Sequence, residues 1–494
     1  MCHVKRLALA SAIVLGSSLL SFTPSSALGS LAPYLDQNLQ WSTCSFGQCA
    51  SLKVPLDYTN LDLGDISIAV SRTVHTGPNF QGSIVVNPGG PGSPGLEFAS
   101  YVAKEIAPTV AKDFDFIGFD PRGVGKSAAV TCMTSKQTAQ WLSMDSTPDT
   151  PAETAALMKS AGKISQGCLK YSPRMASKVG TPFATQDLDL LRSALHEDKL
   201  NWLGFSYGTT LGASYIQAFP NRVGRFVLDG AVDPALNGMQ LSFGQSQGFQ
   251  KAFQNYAQKC LQQGPCPLGS TRTAITARVN SLLARLDTRP LRTKDGTPLT
   301  QSLGTSAIFT AMYSTDMWEL LTSALTSAYQ GDGTGLLELS WMGSDQTGPA
   351  TFGSNMQSAY YAIDCWDLPA TPAAASLASA AQKWAKNAPI PEMAKSMSWS
   401  NAPCSRWFAH DTNPPTAATS STAAPILIIG TRFDPATPYA WARALNAQLA
   451  TSTLLTYGGN GHTAFGGGST CIDSSVNSYL LTGLMPQPGK SCPA

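Results

Sequence analysis

The stretch Gly204-Phe205-Ser206-Tyr207-Gly208 reads G-x-S-x-G, a pattern that carries a nucleophile when a strand precedes it and a helix follows. Leu200-Asn201-Trp202-Leu203 is a short apolar run that suits a buried strand, and Leu211, Tyr215 and Phe219 recur four apart on one helical face. A serine on so tight a turn has its hydroxyl pushed into the open, while flanking glycines let backbones pass closely. The helix N-terminus beyond it favours negative charge developing near that hydroxyl.

A serine hydroxyl needs a base to take its proton, and the base needs an acid to hold one tautomer. Ile426 to Gly430 reads as a strand and leads into Asp434-Pro435; Leu454 to Tyr457 reads as the next and leads into Gly461-His462. The order Ser206, Asp434, His462 is that of an α/β-hydrolase. Of the histidines past the N-terminal segment, His75 and His410 fall in loops and His196 near a helix end; His462 has the glycine-rich setting after a strand. Asp233, the rival acid, comes too soon after the serine and reads as structural.

The oxyanion of a tetrahedral intermediate needs two backbone donors. One is the N–H of Tyr207; the other belongs to Asn87-Pro88-Gly89-Gly90-Pro91-Gly92, where Gly90 is expected to donate because Pro91 cannot. That loop lacks the spacing and the Lys-Ser/Thr ending of a nucleotide-phosphate loop. Asp120 and Arg122 are expected to pair and brace it. Thr437 is expected to support the acid loop through its hydroxyl.

These residues require a scaffold of buried strands. Ala50 to Leu56 and Ile66 to Arg72 read as opening strands, Ser83 to Asn87 and Phe114 to Asp120 as buried ones, and Leu188, Leu191 and Leu195 mark a helix before the serine strand. Phe226 to Gly230 is the strand after it. Short apolar strands alternating with helices predict an α/β fold with a mostly parallel central sheet. Residues 28–234 form the first part of this core. Residues 235–420 show helical periodicity without convincing strands and are expected to form an inserted helical cap. Residues 411–425, rich in Pro, Thr, Ala and Ser, read as a linker, and 421–494 complete the core. Ligands of such sheets sit at the carboxyl ends of the strands, so the cap would close over the site.

Residues 1–27 read as a signal peptide, with Lys5 and Arg6 before an apolar run from Leu7 to Leu20 and a small-residue site at Ser25-Ser26-Ala27. That run is too short for a comfortable membrane span. An exported protein without membrane insertion is expected, with no cofactor and a monomeric state. The formal charge is +2, and only 13% of residues are charged. Nothing in this balance points to nucleic acid. Past Cys2, ten cysteines remain, an even number that fits disulfides in an oxidising compartment. Their spacing suggests pairing between sequence neighbours: Cys44 with Cys49, Cys132 with Cys168, Cys260 with Cys266, Cys365 with Cys404, Cys471 with Cys492. No Cys-x-x-Cys or clustered His accompanies them, which argues against a metal site.

The chain resembles the secreted tripeptidyl aminopeptidases of bacteria and their mycobacterial serine-protease relatives, within the proline iminopeptidase branch of α/β-hydrolases. The resemblance rests on Asn-Pro-Gly-Gly-Pro-Gly at 87–92, Gly-Phe-Asp-Pro-Arg-Gly-Val-Gly-Lys-Ser at 118–127, Gly-Phe-Ser-Tyr-Gly-Thr-Thr-Leu-Gly at 204–212 and Val-Leu-Asp-Gly-Ala-Val-Asp-Pro at 227–234. Ala-Ile-Asp-Cys-Trp-Asp at 362–367 and Asp-Pro-Ala-Thr-Pro at 434–438 complete it. It implies an exopeptidase releasing tripeptides or other short units from peptides with a free N-terminus, whose cap supplies acids for the substrate ammonium. Asp364 and Asp367, flanking Cys365, are candidates for that role, and Glu319 is another. Family members often carry an uncharged residue where Asp364 stands. A carboxylesterase or lipase using the same triad is the alternative, since fold and triad do not set the substrate. A hydrolase fold that has lost its chemistry is disfavoured because all three triad candidates are present.

Overall fold

The computed structural model describes residues 30–368, 372–413, 415–421 and 423–494. The expected signal peptide at 1–27 lies outside them, as do Pro414 and Thr422 of the expected linker.

Ten strands build one sheet. They are β1 (Ser42–Cys44), β2 (Gly47–Pro55), β3 (Asp65–Thr73), β4 (Ser83–Asn87), β5 (Asp115–Phe119), β6 (Leu200–Phe205), β7 (Val223–Asp229), β10 (Ile426–Phe433), β11 (Ser452–Asn460) and β12 (Ser491–Cys492). Their order is β1-β2-β3-β5-β4-β6-β7-β10-β11-β12. The first three strands are joined antiparallel to one another and to β5. From β5 onward every pairing is parallel. All five residues of β4 and of β5 are buried, as continuous apolar runs in a sheet covered on both faces should be.

Helices cover both faces of this sheet. Trp202, Leu211, Tyr215 and Phe226 pack on one side with the helix Thr181–Ala194, and Val86, Phe116, Leu203, Val227 and Ile429 face the helix Thr470–Thr482 on the other. This is the α/β-hydrolase architecture expected from the sequence.

Between β7 and β10 the chain leaves the sheet for a run of helices with its own apolar core, including Phe253, Leu283, Ile308, Leu321 and Leu337. Its first helix, Gly238–Gln262, starts at a capping box in which Asn237 and Gln240 satisfy each other's backbone amides. The expectation of no strands here is corrected: β8 (Gln346–Gly348) and β9 (Thr351–Phe352) pair antiparallel across Pro349-Ala350, a turn too short to leave a periodic signal.

The insertion is also not self-contained. Leu157 and Ala161, on the helix Pro151–Tyr171 that precedes the serine strand, share a core with Leu377, Ala381 and Trp399. Trp141 donates from its Nε1 to Tyr361 Oη at 2.7 Å. All five neighbour disulfides form. The Cys365–Cys404 bridge ties the helix Met356–Asp367 to the end of the insertion.

Candidate active site

Ser206 sits between β6 and the helix Tyr207–Ala218 at φ 55° and ψ −121°, a conformation a serine adopts only when its surroundings impose it. Close packing imposes it here. A Cβ on Gly204 would stand 2.4 Å from the carbonyl oxygen of Gly208, so only glycine lets the entry and exit of the turn cross. The Ser206 amide donates to the carbonyl of Asp229 at 2.9 Å. Its side chain is partly exposed, as a nucleophile requires.

Asp434, 3% exposed at the end of β10, and His462, just past β11, form a tight pair. His462 Nδ1 lies 2.9 and 3.1 Å from the two carboxylate oxygens of Asp434. A carboxylate only accepts, so Nδ1 carries the proton and Nε2 is left free to take one. The amides of Ala436, Thr437 and Thr463 and the Thr437 hydroxyl also donate to Asp434, holding the carboxylate in place as expected of Thr437. Burial works against the imidazolium, but the charge and hydrogen bond of Asp434 outweigh it and hold His462 above its ordinary value. Among the described residues no hydrogen bond joins Ser206 Oγ to His462. Such bonds commonly tighten only when substrate is bound.

Asp229, the last residue of β7, connects the two loops, a role beyond those expected from the sequence. Its carbonyl takes the Ser206 amide, while its carboxylate takes the amides of Ala464 (2.9 Å) and Phe465 (2.8 Å), just past His462. It is fully buried, and burial pushes its carboxyl up to about 7 against the lowering effect of those amides. The available signal is an acid directly after the apolar run Phe226-Val227-Leu228.

The glycine-proline loop after β4 reaches this elbow. A Cβ on Gly89 would meet Ser206 Cβ at 2.9 Å and the Tyr207 nitrogen at 3.2 Å, so the loop lies directly on the serine. The Gly89 amide is committed to Asn87 Oδ1 at 3.0 Å and Pro91 has none, which leaves the exposed Gly90 amide to point elsewhere. The expected Asp120–Arg122 pair does not form. Asp120 does brace the loop, accepting from the amides of Gly95 and Leu96. Arg122 turns away to Asp187, which lies on the helix behind it and satisfies a guanidinium that is otherwise buried. Asp233 accepts from Gln448 and the Ala235 amide and is structural, as expected.

Asp364 and Asp367 come to the nucleophile side through Tyr207. Asp367 accepts from the Thr181 amide (2.7 Å) and hydroxyl (2.6 Å), and that hydroxyl is 2.5 Å from Tyr207 Oη. Asp364 has no hydrogen-bond partner for its carboxylate among the described residues, and its charge helps to raise the hydroxyls of Tyr360, Tyr361 and Tyr207. Burial pushes both carboxyls up to about 7, for Asp367 against the lowering effect of Thr181. Glu319 is not brought to them. It lies exposed on the helix Trp318–Tyr329, next to Gln263.

A strained serine elbow with an Asp–His pair on the same edge of an α/β sheet defines a serine hydrolase. Residues 388–492 match the model of a family described as TAP-like protein. The chain is 34% identical over 93% of its length to serine protease Hip1 of Mycobacterium tuberculosis, covering 92% of that protein. It is 33% identical to carboxylesterase B of the same organism, with 93% and 91% covered. To the tripeptidyl aminopeptidase of Streptomyces lividans it is 30% identical, with 92% and 86% covered. The chain belongs to this family of tripeptidyl aminopeptidase-like α/β-hydrolases. Among the described residues no group of His, Cys, Asp and Glu is arranged to hold a metal ion.

Proposed function

We propose that the protein is an exported serine exopeptidase that releases tripeptides or similarly short units from peptides with a free N-terminus. Ser206 attacks the scissile carbonyl. His462 takes its proton through Nε2 and returns it to the leaving amine, Asp434 holds the imidazole, and the amides of Gly90 and Tyr207 receive the oxyanion. Water then releases the acyl group by the same route in reverse.

The observation that carries the substrate reading is Asp364, a half-buried carboxylate without a hydrogen-bond partner among the described residues, next to Asp367, which Thr181 links to Tyr207 of the serine turn. A carboxylate pair only partly open to water gains when a cation arrives, and the α-ammonium of a peptide is such a cation. The five disulfides and the basic-apolar N-terminal segment support export.

A chromogenic tripeptide anilide with a free amine, compared with its N-acetylated twin, tests the reading. Cleavage of the free form alone, with the tripeptide leaving whole, is expected. Equal cleavage of both, or turnover of a simple aryl ester only, would favour instead the carboxylesterase reading, which the 33% identical relative of that name supports.

A further inference from the structure

A cavity of about 590 Å³ lies between the insertion and the sheet, within the roughly 300–1,000 Å³ usual for ligand sites. Lys259, Thr315, Trp318 and Glu319 form its wall on the insertion side, and Gly459 and Asn460 on the sheet side. Gly459 and Asn460 end β11 and run directly into Gly461-His462. Thr315 comes two residues after Tyr313, whose carbonyl takes the His462 amide at 2.8 Å. The two walls are thus the two segments that grip the candidate base.

Strand order gives the site a direction. The helix carrying Asp364 and Asp367 packs over the loops after β4 and β5: Asn355 Nδ2 donates to the carbonyls of Gly123 and Val130, and Gly92 lies against Met356 and Tyr360. Ser206 follows β6 and His462 follows β11, while the cavity lies at the carboxyl end of β11, at the β12 edge. In the order β5-β4-β6-β7-β10-β11-β12, the acids and the cavity fall on opposite sides of Ser206.

We propose that this cavity holds the leaving segment of a peptide substrate, the residues C-terminal to the scissile bond. The inference rests on the peptidase reading above. In acylation the bond from Ser206 Oγ to the carbonyl carbon forms and the C–N bond breaks. The serine proton passes through His462 Nε2 to the departing nitrogen. The leaving chain therefore departs past His462, towards this cavity and away from the acids. Its walls suit an extended peptide: the exposed Thr315 hydroxyl and the side-chain NH2 of Asn460, whose oxygen is held by Asn255, can pair with a peptide backbone.

The test measures kcat/KM for peptides that share one N-terminal tripeptide and differ in leaving segment, from a single residue to several, beside the tripeptide anilide. Wild type is compared with Thr315→Trp and Gln263→Trp, two exposed positions on the cavity wall. In wild type, lengthening the segment is expected to raise kcat/KM about tenfold, the equivalent of about 1.4 kcal/mol. In both variants that gain should vanish, whereas Leu484→Trp, at a 68% exposed position outside the cavity, should keep it. A flat length dependence in wild type, or a full gain in both wall variants, overturns the assignment while leaving the exopeptidase intact. Failure to cleave the anilide and every peptide, with an aryl ester still turned over, removes the peptidase reading itself and the cavity's occupant with it.

Discussion

His462 donates its backbone N–H to the carbonyl of Tyr313 at 2.8 Å, and the two rings meet edge-on with centroids 5.2 Å apart. One residue belongs to the loop after β11 and the other to the insertion, so the candidate base is held from both sides. Phe249, itself packed against Phe309, stands 5.6 Å from the Tyr313 ring and backs it.

Replacing Tyr313 with leucine keeps the backbone bond and removes the ring contact. We expect kcat to fall roughly tenfold, about 1.4 kcal/mol of barrier, with KM little changed. The loss should be the same for an ester and a peptide, because the base serves both. Steady-state kinetics on the two substrates checks this; a change confined to KM would make the ring a substrate wall only.

Asp229→Asn leaves one oxygen where the carboxylate has two: that oxygen can keep the Ala464 and Phe465 amides, which converge on Oδ2, but the new NH2 then stands 3.1 Å from the Ala464 amide in place of Oδ1, donor against donor, at a cost of about 1–3 kcal/mol of stability. It also removes a negative charge that helps to raise His462. The rising limb of the pH–rate profile, measured with an ester so that no substrate amine titrates, should therefore move to lower pH. A limb that stays in place while the melting temperature drops would reduce Asp229 to a structural role.

Asp364→Asn tests the proposed reading of the substrate amine. The carboxyl sits near 7 in the folded chain because burial disfavours its charge, against an ordinary value near 4 when unfolded. Its stabilising contribution is fully present below about pH 4 and is lost as pH rises through 7. The asparagine variant should thus be more stable than wild type at pH 8 and no more stable at pH 4, as read by denaturant titration. Its kcat/KM should fall for a free-amine anilide and hold for an uncharged ester. Equal loss on both substrates would mean that Asp364 does not read the amine.

Breaking the Cys365–Cys404 bridge by serine substitution at both positions frees the helix that carries the acids. A native disulfide closing a loop of this kind contributes about 2–5 kcal/mol. Thermal unfolding should register that loss. Below the melting transition, KM for the free-amine anilide should rise more than kcat falls, since the acids lose their fixed position before the triad does.

What could be read along the chain was what neighbouring residues decide among themselves. The strand, elbow and helix around Ser206, the settings of Asp434 and His462 after strands, and the sequence-neighbour disulfides are of this kind, and from them follow the α/β-hydrolase sheet and its helical insertion. The contacts that complete the site join residues far apart in sequence. The Thr181 amide meets Asp367 across 186 positions, and Asp229 meets the Ala464 amide across 235. Arg122 meets Asp187 across 65 rather than its near neighbour Asp120. Tyr313 and Glu319 sit six residues apart and both are exposed, yet Tyr313 touches His462 while Glu319 lies beside Gln263. No local propensity distinguishes such cases, because burial and the packing of the insertion on the sheet select each partner only once the chain has closed.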